Sequence, residues 1–360
     1  MSRTRQHSSS LAAAAVALGL AVVSLTGCSD AGANVDVQGS EDSTEQAMTW
    51  TSLPDFLAFS VGSRDRLPFR GVRRIKQYEV DSDGLPELLE ILEEVGSDGA
   101  GGYTIELLEA IELPSGTDGS LYEVAHARSV DVFWSKRDFR IQDLDLASAN
   151  YTITHLPQTS TLAGIECEQV EFLRHVAPAT RPGRYIVDFD PTTGFVLGWT
   201  EFDSAGAPLA SSAYEAFSYR PVLSGLTLGG ASFAGNSLDL NGSLDDQAGF
   251  SVLVPDLLPA GYEVYEVETF AVPVHFIQTG ESFLPAGSWA RIHATDGIES
   301  LSFAHAAVTS GSAGVGDDQL RVLRQGSWDY GFGRASGVPF IVAGRVSTTA
   351  LRQLVESAVR

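Results

Sequence analysis

Apolar and polar positions divide the chain into stretches of different period. Over residues 64–80 basic and apolar residues mix, and Val72, Ile75 and Tyr78 predict a strand or two. Over 83–96, Leu85, Leu88, Leu89 and Leu92 fall at i, i+3, i+4 and i+7, which predicts an amphipathic helix. Asp83 would cap it, Pro86 and Glu87 would fill its first turn, and Gly96 would end it, leaving Glu90, Glu93 and Glu94 in water. From Tyr103 the period falls to two. Segments near 103–112, 121–134, 151–156 and 168–176 read as strands, separated by Pro114-Ser115-Gly116, Asp118-Gly119 and Leu162-Ala163-Gly164. Residues 184–189 and 195–202 predict a hairpin around Asp190-Pro191-Thr192-Thr193-Gly194. Asp203-Ser204-Ala205-Gly206 then turns the chain into a third strand over 209–219. Strands joined this way form an antiparallel meander.

Residues 221–245 are rich in Gly, Ser and Leu without a sustained period, and they mark a linker between domains. Strands resume near 262–271, 289–294, 300–308, 319–325 and 338–346. A closing helix is predicted with Ser347 as its cap and Ala350, Leu351, Leu354, Val355 and Ala358 as its apolar face. The pattern gives two α+β units: 48–220, built on an antiparallel sheet, and a smaller one over 246–360.

The N-terminus has a different character. Arg3 and Arg5 precede an apolar run over 11–23, and Leu25-Thr26-Gly27-Cys28 follows. This is the layout of a secretory signal peptide over 1–27, with Cys28 where cleavage occurs, and the four residues match the bacterial lipobox. The apolar run is about 13 residues, short of the ~20 that span a bilayer. Cys28 is therefore expected to be lipidated and to become the mature N-terminus, placing the chain in the cell envelope, anchored to a membrane and facing the periplasm. Residues 28–47 have few large apolar groups and read as a flexible tether.

Charge narrows the function. The formal net charge is −23, and cleavage before Cys28 removes two arginines and no acid, giving −25. Such a chain repels nucleic-acid phosphates, and no cluster of Lys and Arg makes a local exception. With Cys28 acylated, Cys167 has no intrachain disulfide partner. Flanked by Glu166 and Glu168, it reads as a small buried residue of a strand rather than a nucleophile.

Catalytic motifs are missing from the sequence: there is no Gly-x-Ser-x-Gly elbow, His-Glu-x-x-His pair or Walker loop. Gly331-Phe332-Gly333-Arg334-Ala335-Ser336-Gly337 has dinucleotide-loop spacing, but β-like residues follow it, so its glycines read as a loop between strands. The Asp188–Gly194 segment echoes a calcium loop, but Thr193 and Trp199 stand where Gly and Glu are required, so a hairpin turn is expected. His275, His293 and His305 lie on separate segments without ligand spacing and would need folding to bring them together. No catalytic residue, cofactor or metal site is assigned. A curved sheet over a helix can instead enclose an apolar pocket suited to an acyl chain, with Phe133, Trp134, Tyr185, Phe189, Trp199 and Phe202 as candidate lining, against the more usual role of such residues as ordinary core.

A set of motifs resembles the MucB/RseB-type sigma-E regulatory proteins. It begins with Leu162-Ala163-Gly164, Arg184-Tyr185, Asp190-Pro191-Thr192-Thr193-Gly194 and Asp203-Ser204-Ala205-Gly206. It continues with Leu258-Pro259-Ala260-Gly261-Tyr262, with the His293-Ala294-Thr295-Asp296-Gly297-Ile298-Glu299-Ser300-Leu301-Ser302-Phe303 hairpin, and with Val342-Ala343-Gly344-Arg345-Val346 before a Thr-containing helix. The order and spacing agree over roughly residues 160–360, while the match before them is weak. The resemblance implies a half-open antiparallel β-barrel over helices, like the LolA lipoprotein carriers, joined to a smaller α+β domain. It also implies a partner, the periplasmic domain of a membrane anti-sigma factor or a similar regulator, and an acyl or lipid ligand. A lipid or lipoprotein carrier of the envelope is the alternative. Family members are usually soluble in the periplasm, whereas this chain carries a lipobox.

Overall fold

The segment with the leucine stripe is a strand, not a helix. The computed structural model describes residues 52–80, 86–114, 119–120, 122–123, 126, 139–175, 183–203, 205–228, 235–272, 286–307, 320–325, 328–346 and 348–358. In it, β1 (Pro68–Val80) and β2 (Pro86–Asp98) pair antiparallel along their whole length, with Pro68 opposite Asp98 and Val80 opposite Pro86. Leu89, Ile91, Glu93 and Val95 are buried on one face, a period of two that the leucines at 85, 88 and 92 obscure. The glutamates expected in water are partners of β1. Arg70 meets Glu94 at 2.8 Å, Lys76 meets Glu90 at 3.4 Å, and Arg74 bonds Glu90. Glu93 is fully buried and accepts Arg73 Nε (3.0 Å) and Nη2 (2.7 Å), with His126 Nε2 at 2.6 Å from its other oxygen. Cross-strand pairing thus overrides local helical periodicity. Asp83 and Leu85 lie outside the described residues.

β3 (Tyr103–Glu112), β4 (Tyr151–Leu162), β5 (Ile165–Arg174), β6 (Arg184–Phe189), β7 (Val196–Phe202) and β8 (Pro208–Ser218) complete an eight-stranded antiparallel sheet, in the order β3-β2-β1-β8-β7-β6-β5-β4. Its edges, β3 and β4, are not paired with each other, so the barrel is half open. Helices α1 (Leu53–Ser60), α2 (Ser63–Arg66) and α3 (Leu144–Asn150) pack on it, α1 capped by Ser52 and α3 by Asp143. The strand expected at 121–134 is corrected where it is described: residues 122, 123 and 126 are helical. The turns expected at 162–164 and 190–194 hold, while residues 115–118, where two others are expected, lie outside the described residues. Ala163 and Gly164 link β4 to β5 with φ of +49° and +80°. Asp190 closes the β6–β7 turn by accepting Thr192 N, Thr193 Oγ1 and Tyr219 Oη.

The second sheet has seven strands, β13-β14-β15-β12-β11-β10-β9. They are β9 (Asn236–Ser237), β10 (Glu263–Val272), β11 (Gly287–Thr295), β12 (Ser300–Ala306), β13 (Leu320–Gln325), β14 (Trp328–Ala335) and β15 (Val338–Gly344). Asn236 pairs with Thr269, so part of the expected linker belongs to this sheet. Gly331 and Gly333 lie inside β14, and only Ser336 and Gly337 make the turn. In chain order α4 (Leu244–Ala248) falls between β9 and β10. α5 (Thr348–Ala358) closes the chain, burying Leu351, Leu354, Val355 and Ala358 against Phe303 and Phe340 as the stripe predicts. Ser347, its expected cap, lies outside the described residues. Among the described residues no helix is long and apolar enough to cross a membrane.

Cys167 is fully buried in β5, and desolvation pushes its thiol up to about 11. Thiol titration at pH 8 should therefore find Cys167 at least about 100-fold slower in the folded protein than in denaturant, because the thiolate fraction falls tenfold for each unit by which the pKa rises. Equal rates would place it at the surface.

Candidate functional site

The interior face of the half-open barrel gathers three of the six aromatic residues proposed from sequence. Tyr185, Val187 and Phe189 alternate inward on β6, Trp199 stands opposite Val187 on β7, and Val170 and Phe172 face them from β5. This face is filled. Phe56 of α1 meets Phe189 edge-on at 5.5 Å, and Phe139 lies 5.6 Å from both Phe172 and Tyr185. Phe202 does not join them. It pairs with Arg184, points to the other face and is half-buried under that guanidinium, 4.7 Å from its ring. Phe133 and Trp134 lie outside the described residues, as does Cys28.

What completes this core comes from the second sheet. Asp296-Gly297-Ile298-Glu299, the tip between β11 and β12, packs into it, and Ile298 is 1 % exposed among the first sheet's aromatics. The tip is held in shape by its own bonds. Asp296 Oδ1 accepts Ile298 N (3.1 Å) and Glu299 N (2.8 Å), and Thr295 Oγ1 donates to Glu299 O (2.6 Å). Gly297 has a φ of +106°, and an added Cβ would lie 2.2 Å from Ala147 N, so only glycine fits. Its carbonyl accepts Gln142 N (2.8 Å) and Asp143 N (3.1 Å) ahead of α3.

Buried polar groups join the two sheets around this tip. Tyr151 Oη donates to Asp296 Oδ2 (2.6 Å), and Arg174 Nη2 reaches the same oxygen at 3.0 Å. Tyr185 donates to Glu299 Oε1, and Tyr262 donates to its Oε2 at 3.0 Å. Asn150 Nδ2 bonds the carbonyls of Gly261 and Asp296, both at 3.0 Å. Arg345, just past β15, lays its guanidinium over Trp199, 4.0 Å from the ring centroid. Burial, reinforced by Glu299, raises Asp296 to about 6 against the pull of Arg174 and Tyr151. Burial and the same carboxylates hold the Tyr151 and Tyr262 phenols well above their usual range; burial, Glu201 and Glu299 do so for Tyr185. The arrangement ties the two sheets together through buried phenol–carboxylate bonds.

His293 and His305 are not brought together. His293 Nε2 lies 2.9 Å from Glu268 Oε1, and its Nδ1 is 2.6 Å from Ser302. His305 Nε2 accepts Leu253 N (2.9 Å), which leaves Nδ1 to donate to Ala306 O (2.9 Å). His275 lies outside the described residues. Glu266, Glu268 and His293 present ligand atoms within 4.8 Å of one another. However, Arg291 already binds Glu268 through Nη2 (2.6 Å) and Nε (2.7 Å). Burial alone would raise Glu268, but bonds from His293 and Arg291 hold it down at about 2, so this is a satisfied ion-pair network.

Periodicity marks Asp296 and Gly297 only as a turn; Tyr262 and Glu299 fall inside the motifs that carry the resemblance without a role of their own, and nothing in the pattern singles out Tyr151 or Arg174. The signal at the tip, polar residues flanked by apolar strands, is common to every exposed hairpin.

No protein-family model matches the chain, and no curated protein does. Among solved structures it is similar to MucB in complex with MucA(peri), at a TM-score of 0.44 and 14 % identity over 85 % of this chain and 98 % of that one. It is similar to the MucA/MucB complex of Pseudomonas aeruginosa, at 0.43 and 15 % over 83 % and 95 %. A LolA superfamily protein from Nitrosomonas europaea is similar at 0.20 and 9 %, covering 48 % of this chain and 96 % of its own.

Proposed function

We propose that this chain is a non-enzymatic, lipid-anchored envelope protein of the MucB/RseB type, which binds the periplasmic domain of an anti-sigma factor or similar membrane regulator and responds to an acyl ligand. The observation that carries the reading is the Asp296–Glu299 tip seated on Tyr151, Tyr185 and Phe172. The hairpin that bears the resemblance in sequence is the element that fills the barrel. An acyl chain and the tip would compete for one face, so ligand would favour a different arrangement of the two sheets and with it a different partner affinity. The lipobox at Cys28 supports meeting that partner at a membrane surface.

The test is retention of envelope proteins by the purified protein, with and without added lipid. A membrane regulator held without lipid and released with it is expected; no regulator under either condition would defeat the reading. The half-open barrel also supports a carrier of lipid or lipoprotein. That alternative predicts non-covalently bound acyl chains in stoichiometric amount, over and above the lipid attached at Cys28, in native mass spectra of the protein purified from its membrane.

A further inference from the structure

The tip seated in the barrel has the chemistry of a ligand. Ile298 is an aliphatic group buried among the aromatic residues of the first sheet, and the carboxylates of Asp296 and Glu299 stand on either side of it in the chain. The first sheet meets those carboxylates with three donors on three successive strands. Tyr151 Oη of β4 donates to Asp296 Oδ2 (2.6 Å), Arg174 Nη2 of β5 lies 3.0 Å from the same oxygen, and Tyr185 Oη of β6 donates to Glu299 Oε1. Tyr151 lies directly opposite Arg174, and Tyr185 opposite Phe172, the next inward residue of β5, so the donors share one face with the apolar core. All three side chains are buried. A phenol has one proton to give, and both phenols give it to the tip. Arg174 Nη2 bonds Ala260 O and Asp296, both outside the first sheet.

We infer that this seat recognises a carboxylate joined to an aliphatic chain, so that the acyl ligand is a free fatty acid and Tyr151, Arg174 and Tyr185 select its head group. The inference rests on the reading that an acyl chain competes with the tip. When the tip leaves, its carboxylates leave with it, as does Tyr262, which bonds Glu299 from the core of the second sheet. A hydrocarbon chain alone refills the apolar space but leaves two phenols and a guanidinium without acceptors, and buried donors left so destabilise the complex. A carboxylate offers about four lone-pair positions, enough for all three donors, and bonds to an ionised acceptor are roughly twice as strong as neutral ones. An alcohol or ester head brings no charge to set against Arg174, and an ammonium head brings the wrong one.

Calorimetric titration of the purified protein at neutral pH with decanoate, 1-decanol and decyltrimethylammonium, which share one chain length, tests it. Decanoate is expected to bind about tenfold or more tighter than decanol, the ammonium weakest of the three, and decanoate should open the tip to proteolysis. The ratio of decanoate to decanol affinity is the quantity to follow, because competition from the tip weakens both ligands equally and cancels in it. Tyr151→Phe and Tyr185→Phe keep the rings and remove one donor each, and each should lower the ratio about tenfold. Tyr78→Phe, at an exposed tyrosine elsewhere, should leave it within about twofold. Arg174→Met should bring the ratio close to unity; it also weakens the fold, so the two phenol variants carry the test. Equal affinity for decanoate and decanol, or a ratio unmoved in both phenol variants, overturns the head-group assignment and leaves competition by acyl chains standing. Decanoate bound with the tip still protected, or no binding of any of the three, overturns that competition and this inference with it.

Discussion

Replacing Gly297 by alanine is expected to destabilise the protein by about 3 kcal/mol and to loosen the hairpin tip from the barrel. Two costs combine. At a φ of +106° a side chain is strained, by about 1–2 kcal/mol. The added Cβ also meets backbone that cannot swing aside: Ala147 N at 2.2 Å, Ala147 Cα at 2.5 Å and Asp143 O at 2.8 Å. Forcing a methyl into such a contact adds about 1–3 kcal/mol. Gly206→Ala separates the two costs. Gly206 has a φ of +85° and nothing within 4 Å of its added Cβ, so that variant carries the strain alone. Urea unfolding of both variants measures the difference, and proteolysis at the tip should appear in Gly297→Ala only. If the two lose equal stability, the tip is not packed against α3.

The same glycine shows what sequence conveys and what it withholds. Asp296-Gly297 is legible as a turn, because Gly supplies the positive φ and Asp caps the following amides. That the turn is buried is not legible, since burial is decided by a partner surface distant in the chain. A strand with clean alternation, such as β6, is readable because a single buried face imposes period two. β2 is not, because its buried row is Leu89, Ile91, Glu93 and Val95. A buried glutamate breaks the apolar pattern, and Arg73 and His126, distant in sequence, explain it. The pocket aromatics divide for the same reason. Tyr185, Phe189 and Trp199 share a face by pleat and register, while Phe202 falls on the other face beside Arg184, a distinction that a list of aromatic residues cannot make.

Arg174→Met should cost about 3–5 kcal/mol at neutral pH, the range for removing one partner of a buried ion pair, and much less near pH 5. The Arg174 side chain is 4 % exposed, lies 3.0 Å from Asp296 Oδ2 and also donates to Ala260 O at 2.9 Å. Without it, Asp296 and Glu299 stand buried on one four-residue tip with phenols as their bonded partners. In the intact protein Asp296 already holds its proton up to about pH 6, against an ordinary value of 3.8. Between those values the folded state binds more protons than the unfolded chain, so this group's contribution to stability is greatest below about pH 4 and is lost as pH rises through 6. That contribution amounts to about 3 kcal/mol. Asp296→Asn keeps the acceptor for Ile298 N and Glu299 N but removes the titration, so its stability should vary less between pH 4 and 7 than that of the wild type. An unchanged slope would show that Asp296 does not titrate there. Arg174→Met should steepen the slope, because loss of the guanidinium raises Asp296 further, and acid then restores by protonation what the substitution took away in charge.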